Sequence, residues 1–136
     1  MTEQLFYEAL KPIGQAEFDG IMESGSSDDK RLAAFRAADM IDDYHWLVDR
    51  FERLLRAETD RYVLSAAILG VGYIARRFRY ADERKLKKML QPFTNVANPI
   101  GEVQDAERDI YRYLSKHRRK RKREMRKVLE ALRARS

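Results

Sequence analysis

Apolar residues recur at the three- and four-residue spacing of an α-helix along this 136-residue chain. The periodic segments are short, and residues that start or stop helices separate them. No stretch alternates apolar and polar residues with the two-residue period of a β-strand, so we predict no sheet. The sequence therefore predicts an all-α fold of eight helices, with apolar positions over residues 5–10, 18–22, 32–41, 47–55, 63–74, 86–90, 103–114 and 125–132.

Helix starts are marked by side chains that accept hydrogen bonds from free backbone N–H groups. Ser26 and Asp29 have the spacing of a capping box. Asn98 before Pro99 is typical of an N-cap followed by the first helical residue. The other predicted start residues are Asp43, Thr59 or Asp60, and Asp82.

Short loops between short helices predict antiparallel helix pairs that stack side by side. A shift of 40 residues places Val63 on Val103 and Ala66 on Ala106, and HEAT repeats have a period of about 40–47 residues. The segment from Asp60 to Gly70 is similar to the second helix of a HEAT repeat. We therefore predict a HEAT-like or armadillo-like α-solenoid fragment.

A longer set of residues resembles a group of small bacterial HEAT-like proteins. The resemblance covers about residues 28–114 and rests on Trp46-Leu47-Val48, on Asp60 through Arg77, on Leu86 and Leu90, and on Pro99 through Ile110. Members of this group resemble immunity proteins of polymorphic toxin systems, including contact-dependent growth inhibition. The resemblance implies a protein that binds a cognate toxin domain and neutralises it.

Net charge divides the chain into two parts. Residues 1–115 carry 17 basic and 20 acidic side chains, a net charge of −3, whereas residues 116–136 carry 11 and 2, a net charge of +9. We predict a HEAT-like helical domain over residues 1–115 and a basic C-terminal helical extension over residues 116–136.

Acidic residues cluster around the predicted turn between the third and fourth helices. Asp39, Asp42 and Asp43 share a helix face by their spacing, and like charges so placed repel one another. A basic partner would relieve that repulsion, although a solvated face with helix caps is the alternative interpretation. Aromatic residues nearby add typical binding anchors, while Trp46 also fits a core position. The predicted partner-binding residues are Asp39, Asp42, Asp43, Tyr44, Trp46 and Asp49.

The C-terminal extension begins with a dense run of cations. Its candidate anion-binding residues are Arg118, Arg119, Lys120, Arg121, Lys122 and Arg123. Such a run fits nucleic acid, contact with an acidic part of the protein or of a second copy, or plain solvation. It contains no aromatic residue, so nucleic-acid binding would depend mainly on phosphates and would be sensitive to salt. An apolar stripe follows it, which indicates that the end of the extension packs on something: Met125, Val128, Leu129 and Leu132.

No set of residues predicts catalysis or cofactor binding. The chain has no cysteine, which excludes disulfides and thiolate nucleophiles. Asp42 and His45 have a spacing that can ligate a metal, but the further ligands of a dinuclear helical site are missing. The residues 70–75 spell G-x-G-x-x-A, but they follow a predicted helix rather than a strand, so close helix packing explains the glycines better. We expect a non-catalytic protein with no cofactor and no metal.

The start of the chain shows no signal peptide, and its most apolar window, residues 62–75, spans 14 residues. About 20 are needed to cross a bilayer, so we expect a cytoplasmic protein without a membrane span. The favoured function is that of an immunity protein bound to a cognate toxin domain, possibly a nuclease in view of the acidic cluster. The alternative is a nucleic-acid-associated protein that binds phosphates through the basic run. The sequence leaves homo-oligomer formation open.

Overall fold

The computed structural model describes residues 11–135, and within them the chain is all-helical with no strand. The helix predicted over residues 5–10 lies outside the described residues. The α-helices are α1 (Gln15–Ser24), α2 (Ser27–Met40), α3 (Tyr44–Ala57), α4 (Arg61–Arg77), α5 (Glu83–Leu90), α6 (Glu102–Ile110) and α7 (Lys116–Ala134). A 3-10 turn (Gln91–Phe93) follows α5, and a π-helical segment (Tyr111–Ser115) joins α6 to α7.

Four of the predicted start residues cap their helices. Ser26 and Asp29 form a complete capping box at α2. The carboxylates of Asp43, Asp60 and Asp82 accept hydrogen bonds from backbone N–H groups of the first turns of α3, α4 and α5. Each of these bonds satisfies an N–H group that has no partner within its own helix.

The predicted start at Asn98 and Pro99 is wrong, because α6 begins at Glu102 with Gly101 as its N-cap. The guanidinium of Arg61 explains the difference. It donates to the backbone carbonyls of Asn98 at 2.9 Å and Pro99 at 3.0 Å. These contacts hold the segment as a loop against the start of α4.

Helices α2, α4 and α6 run in the same direction. At their starts, Ser27 of α2 donates to Asp60 before α4, and Arg61 binds the loop before α6. At their ends, Arg77 of α4 donates to the carbonyls of Ala38 and Ile41 at 2.7 and 2.9 Å. Arg77 therefore satisfies carbonyl groups that the last turn of α2 leaves free.

Helices α1, α3 and α5 make a second series of contacts. Phe18 of α1 stacks on Phe51 of α3, with ring centroids 6.3 Å apart. The hydroxyl of Tyr44, at the start of α3, accepts a 2.7 Å hydrogen bond from the backbone N–H of Asp82, at the start of α5. Lys85 of α5 forms an ion pair with Glu52 of α3. The buried core lies between the two series of helices.

Two glycines allow α4 to approach its neighbours closely. A Cβ atom at Gly70 would lie 2.3 Å from a ring carbon of Phe51, and one at Gly72 would lie 3.2 Å from the Cα of Ala106. Neither separation is compatible with an unmoved neighbour. The prediction that these glycines serve helix packing is confirmed.

The last two predicted helices form one continuous rod. Backbone angles stay helical through the π segment, so the rod runs from Glu102 to Ala134, about 50 Å at the usual helical rise. Every residue from 116 to 135 is exposed. We call residues 116–134 the basic arm. The apolar stripe predicted to pack on something is also exposed, with side-chain exposures between 47 and 60%.

Across residues 11–135, each helix is either too short or too polar to cross a lipid bilayer.

Candidate functional site

The predicted acidic cluster lies at the end of α2 and in the loop before α3. Asp39 is exposed in the last turn of α2. Asp42 accepts a 2.7 Å hydrogen bond from Arg77, yet its side chain remains largely exposed. Asp43 accepts from the backbone N–H of Trp46 and from Gln15, each at 3.1 Å. Among the described residues only Asp42 of these three carboxylates forms an ion pair, so the surface keeps a negative charge.

Asp49 lies apart from this loop, on the side of α3 that faces α1. Its carboxylate accepts from Arg50 at 2.6 Å and lies 3.2 Å from Arg53. Arg50 also binds Asp19, and that hydrogen bond is the main cause that raises the pKa of the arginine. The charge of Asp49 is therefore balanced within the protein.

The two predicted aromatic residues are packed against the body. Tyr44 is buried, and its hydroxyl accepts a hydrogen bond from the backbone N–H of Asp82. Trp46 is half-buried, with Phe18 at 5.2 Å on its edge and the Arg50 guanidinium 5.2 Å from its ring centre. Both side chains are therefore engaged in contacts within the protein.

An exposed aromatic residue that is not among the predicted partner-binding residues lies beside the acidic loop. Tyr80 is 72% exposed, and its ring lies 5.4 Å from Tyr44 and 5.8 Å from Phe78. Tyr80 follows α4 in the chain, so only the fold brings it near the α2–α3 loop. Exposed tyrosine is a frequent energetic centre of protein interfaces.

We name this region the acidic–aromatic surface. It combines negative charge with a large, rigid aromatic side chain, which is the combination that suits a basic protein partner. Its residues are Asp39, Asp42, Asp43, His45 and Tyr80.

The base of the basic arm is fixed to α5 by Glu83. The buried hydroxyl of Ser115 donates to this carboxylate, as does Lys87 at 2.7 Å. Arg118 lies 3.4 Å from its second oxygen, which is buried and accepts no hydrogen bond from residues 11–135. Burial acts to raise the pKa of Glu83, but the hydrogen bonds from Lys87 and Ser115, with the nearby cations, outweigh it and lower the pKa.

The other cations predicted to bind anions project into solvent from the arm. Within residues 11–135 none of them forms an ion pair with a carboxylate. The guanidinium of Arg119 lies 5.8 Å from the ring centre of Tyr111. The exposed set is Arg119, Lys120, Arg121, Lys122 and Arg123.

The motif-like pairs of the sequence do not form ligand sites in the described part of the chain. Asp42 binds Arg77, and no group of three or more His, Asp or Glu residues within residues 11–135 is placed to hold a metal ion. Gly70 and Gly72 lie inside α4, where they contact neighbouring helices rather than the end of a strand.

No protein-family model, no curated protein and no solved structure matches this chain.

Proposed function

We propose that this protein is a non-catalytic binding module that neutralises a cognate toxin domain in the cytoplasm. The proposal follows from the resemblance of residues 28–114 to HEAT-like immunity proteins. It is supported by one observation above all: the exposed ring of Tyr80 packs on Tyr44, the residue that directly follows the carboxylates of the α2–α3 loop.

We also propose that the helices pair as α1–α2, α3–α4 and α5–α6 in a HEAT-like stack. The common direction of α2, α4 and α6, and the contacts that link α1, α3 and α5, support this arrangement. In such a stack the loops that join one pair to the next, α2–α3 and α4–α5, lie at one end, so that they present a continuous surface to a partner.

The proposed mechanism is steric and electrostatic. Asp39, Asp42 and Asp43 speed encounter with a basic active-site surface, such as that of a nuclease. Tyr80 then supplies a rigid contact that excludes water at the centre of the interface. The buried ring of Tyr44 keeps Tyr80 in place.

The test is a growth assay in a bacterial host. A toxin domain encoded beside the gene for this chain is expressed alone and together with the protein. Co-expression is expected to restore growth, and Tyr80→Ala is expected to lose most of that protection. Toxicity that the wild-type protein does not relieve would overturn the proposal.

Tyr62→Ala is the matched control variant. Tyr62 is also an exposed tyrosine, at 53%, but it lies at the start of α4 beneath Arg31. The 17 residues of α4 separate it from the loop that carries Tyr80, a span of about 25 Å. Protection by Tyr62→Ala is expected to equal that of the wild type.

A further inference from the structure

Two basic grooves meet at Tyr111, where the arm leaves the body. The first, about 570 Å³ in volume, is lined by Arg84 and Lys88 of α5. The second, about 450 Å³, is lined by Arg119 and Arg123 of the arm. Tyr111 lines both grooves and is 49% exposed. The fold therefore joins the cations of the arm to cations of the body that lie far away in sequence.

The charge of this surface is almost entirely unbalanced. Arg84, Lys88, Arg119 and Arg123 are exposed, and none of them forms an ion pair within the part of the chain that the structure describes. Glu107 is the one carboxylate among the described residues that line the two grooves. Mutual repulsion of these cations opposes folding, whereas an anionic chain across both grooves would relieve it.

The position of Tyr111 indicates which anionic chain fits. Its ring has an arginine guanidinium beside it and basic grooves on two sides. Single-stranded nucleic acid offers both complementary parts, because its bases stack on aromatic rings and its phosphates pair with Arg and Lys. In a duplex the base faces are already stacked and cannot reach such a ring.

We propose that this surface binds single-stranded nucleic acid, with Tyr111 stacking on a base. Phosphates on either side of that base contact Arg84 and Lys88 in one groove and Arg119 and Arg123 in the other. This site is separate from the acidic–aromatic surface, and its function does not depend on a toxin partner.

The arm presents its basic face and its apolar stripe on different sides. Arg119, Arg123 and Arg126 recur at helical spacing and continue the groove at Tyr111. Met125, Val128 and Leu132 lie more than a quarter turn away on the same helix, and Leu129 lies between the two faces. A lipid surface would bind the apolar stripe and would leave the groove beside α5 unused.

The experiment measures binding of the full-length protein to fluorescent oligonucleotides of about 20 residues. Single-stranded DNA, single-stranded RNA and a DNA duplex are compared at about 50 to 200 mM salt. Four phosphate contacts, one for each of these cations, would weaken binding of the single strand about 50-fold over that range. Anionic phospholipid vesicles are tested in parallel.

Two variants locate the site. Arg84→Gln with Lys88→Gln is expected to weaken single-strand binding about ten-fold and to reduce the salt slope by about 1.4. Tyr111→Leu is expected to weaken it by a similar factor and to reduce the preference over duplex. Arg31→Gln with Arg53→Gln removes the same charge elsewhere on the body and is expected to change little.

Each contrary outcome overturns the proposal. Equal effects of the two double variants would show that net charge, rather than this surface, is responsible. An unchanged single-strand preference in Tyr111→Leu would exclude the stacking contact. Binding to vesicles without binding to oligonucleotides would identify the arm as a membrane-surface helix. Circular dichroism of each variant confirms that it is folded.

Discussion

At the scale of single residues, Gly70 shows how one missing side chain positions α4 against α3. A Cβ atom there would lie 2.3 Å from a ring carbon of Phe51, which is itself fully buried. The ring cannot move away without displacing Phe18, on which it stacks. The close approach of the two helices therefore depends on this glycine.

Gly70→Ala is expected to lower the free energy of unfolding by about 1–3 kcal/mol, the usual cost of overpacking a core. Gly20→Ala is the control, because a Cβ at Gly20 meets nothing within 4 Å. Alanine is the better helix former, so this second variant is expected to be neutral or more stable by up to about 1 kcal/mol. Urea denaturation measures both, and equal values for the two variants would contradict the packing account.

Glu83 links stability to pH at the base of the arm. Its pKa in the folded protein is lowered from 4.5 because Lys87 and Ser115 bind the ionised form more strongly than burial disfavours it. The ionised carboxylate therefore stabilises the fold above about pH 4.5, and this contribution is lost as the pH falls below that value.

Glu83→Gln is expected to lower the free energy of unfolding by about 1–3 kcal/mol near neutral pH, the usual cost of weakening hydrogen bonds to a charged group. The difference from the wild type is expected to shrink as the pH is lowered from about 6 to about 3. Denaturation curves across that range measure it. A difference that stays constant with pH would show that the charge of Glu83 does not stabilise the fold.

At the scale of helices, local chemistry explains most of the starts, and distant contacts explain the exceptions. Ser26, Asp43, Asp60 and Asp82 could be assigned as caps because the hydrogen bond they make lies within one turn. The start of α6 could not, because Arg61 holds the preceding loop from another helix.

The candidate site also combines residues that are neighbours in sequence with residues that only the fold brings together. The acidic residues of the α2–α3 loop are near one another in sequence and could be predicted. Tyr80 could not be predicted beside them, because the fold of α4 brings it there. The same is true of Arg84 and Lys88, which line a groove beside Tyr111 only in the folded chain.

The arm packs little against the body. All of its residues are exposed, Arg118 pairs with Glu83 of α5, and Arg119 lies beside Tyr111. Removal of residues 116–136 is expected to lower the free energy of unfolding by about 1 kcal/mol or less, because the ion pair that is lost is half-exposed on the Arg118 side. Circular dichroism with thermal denaturation tests this, and loss of cooperative unfolding would show that the arm belongs to the core.

At the scale of the whole molecule, the net charge of +6 is the sum over two segments of opposite charge. The body residues carry −3 and the C-terminal extension carries +9. The acidic–aromatic surface lies at the α2–α3 loop, whereas the basic grooves lie beside α5 and along the arm, on either side of Tyr111. The two surfaces therefore favour partners of opposite charge, and a change in one is not expected to affect the other.

The most direct test of the proposed function measures the affinity of the toxin domain for variants of each surface. Asp39→Lys with Tyr80→Ala is expected to weaken binding by at least about 100-fold. The double variant removes the aromatic contact at the centre of the proposed interface and reverses a charge that attracts the basic partner. Arg84→Gln with Lys88→Gln is expected to bind as tightly as the wild type. The opposite pattern, in which only the basic-groove variant loses affinity, would contradict toxin binding through the acidic–aromatic surface.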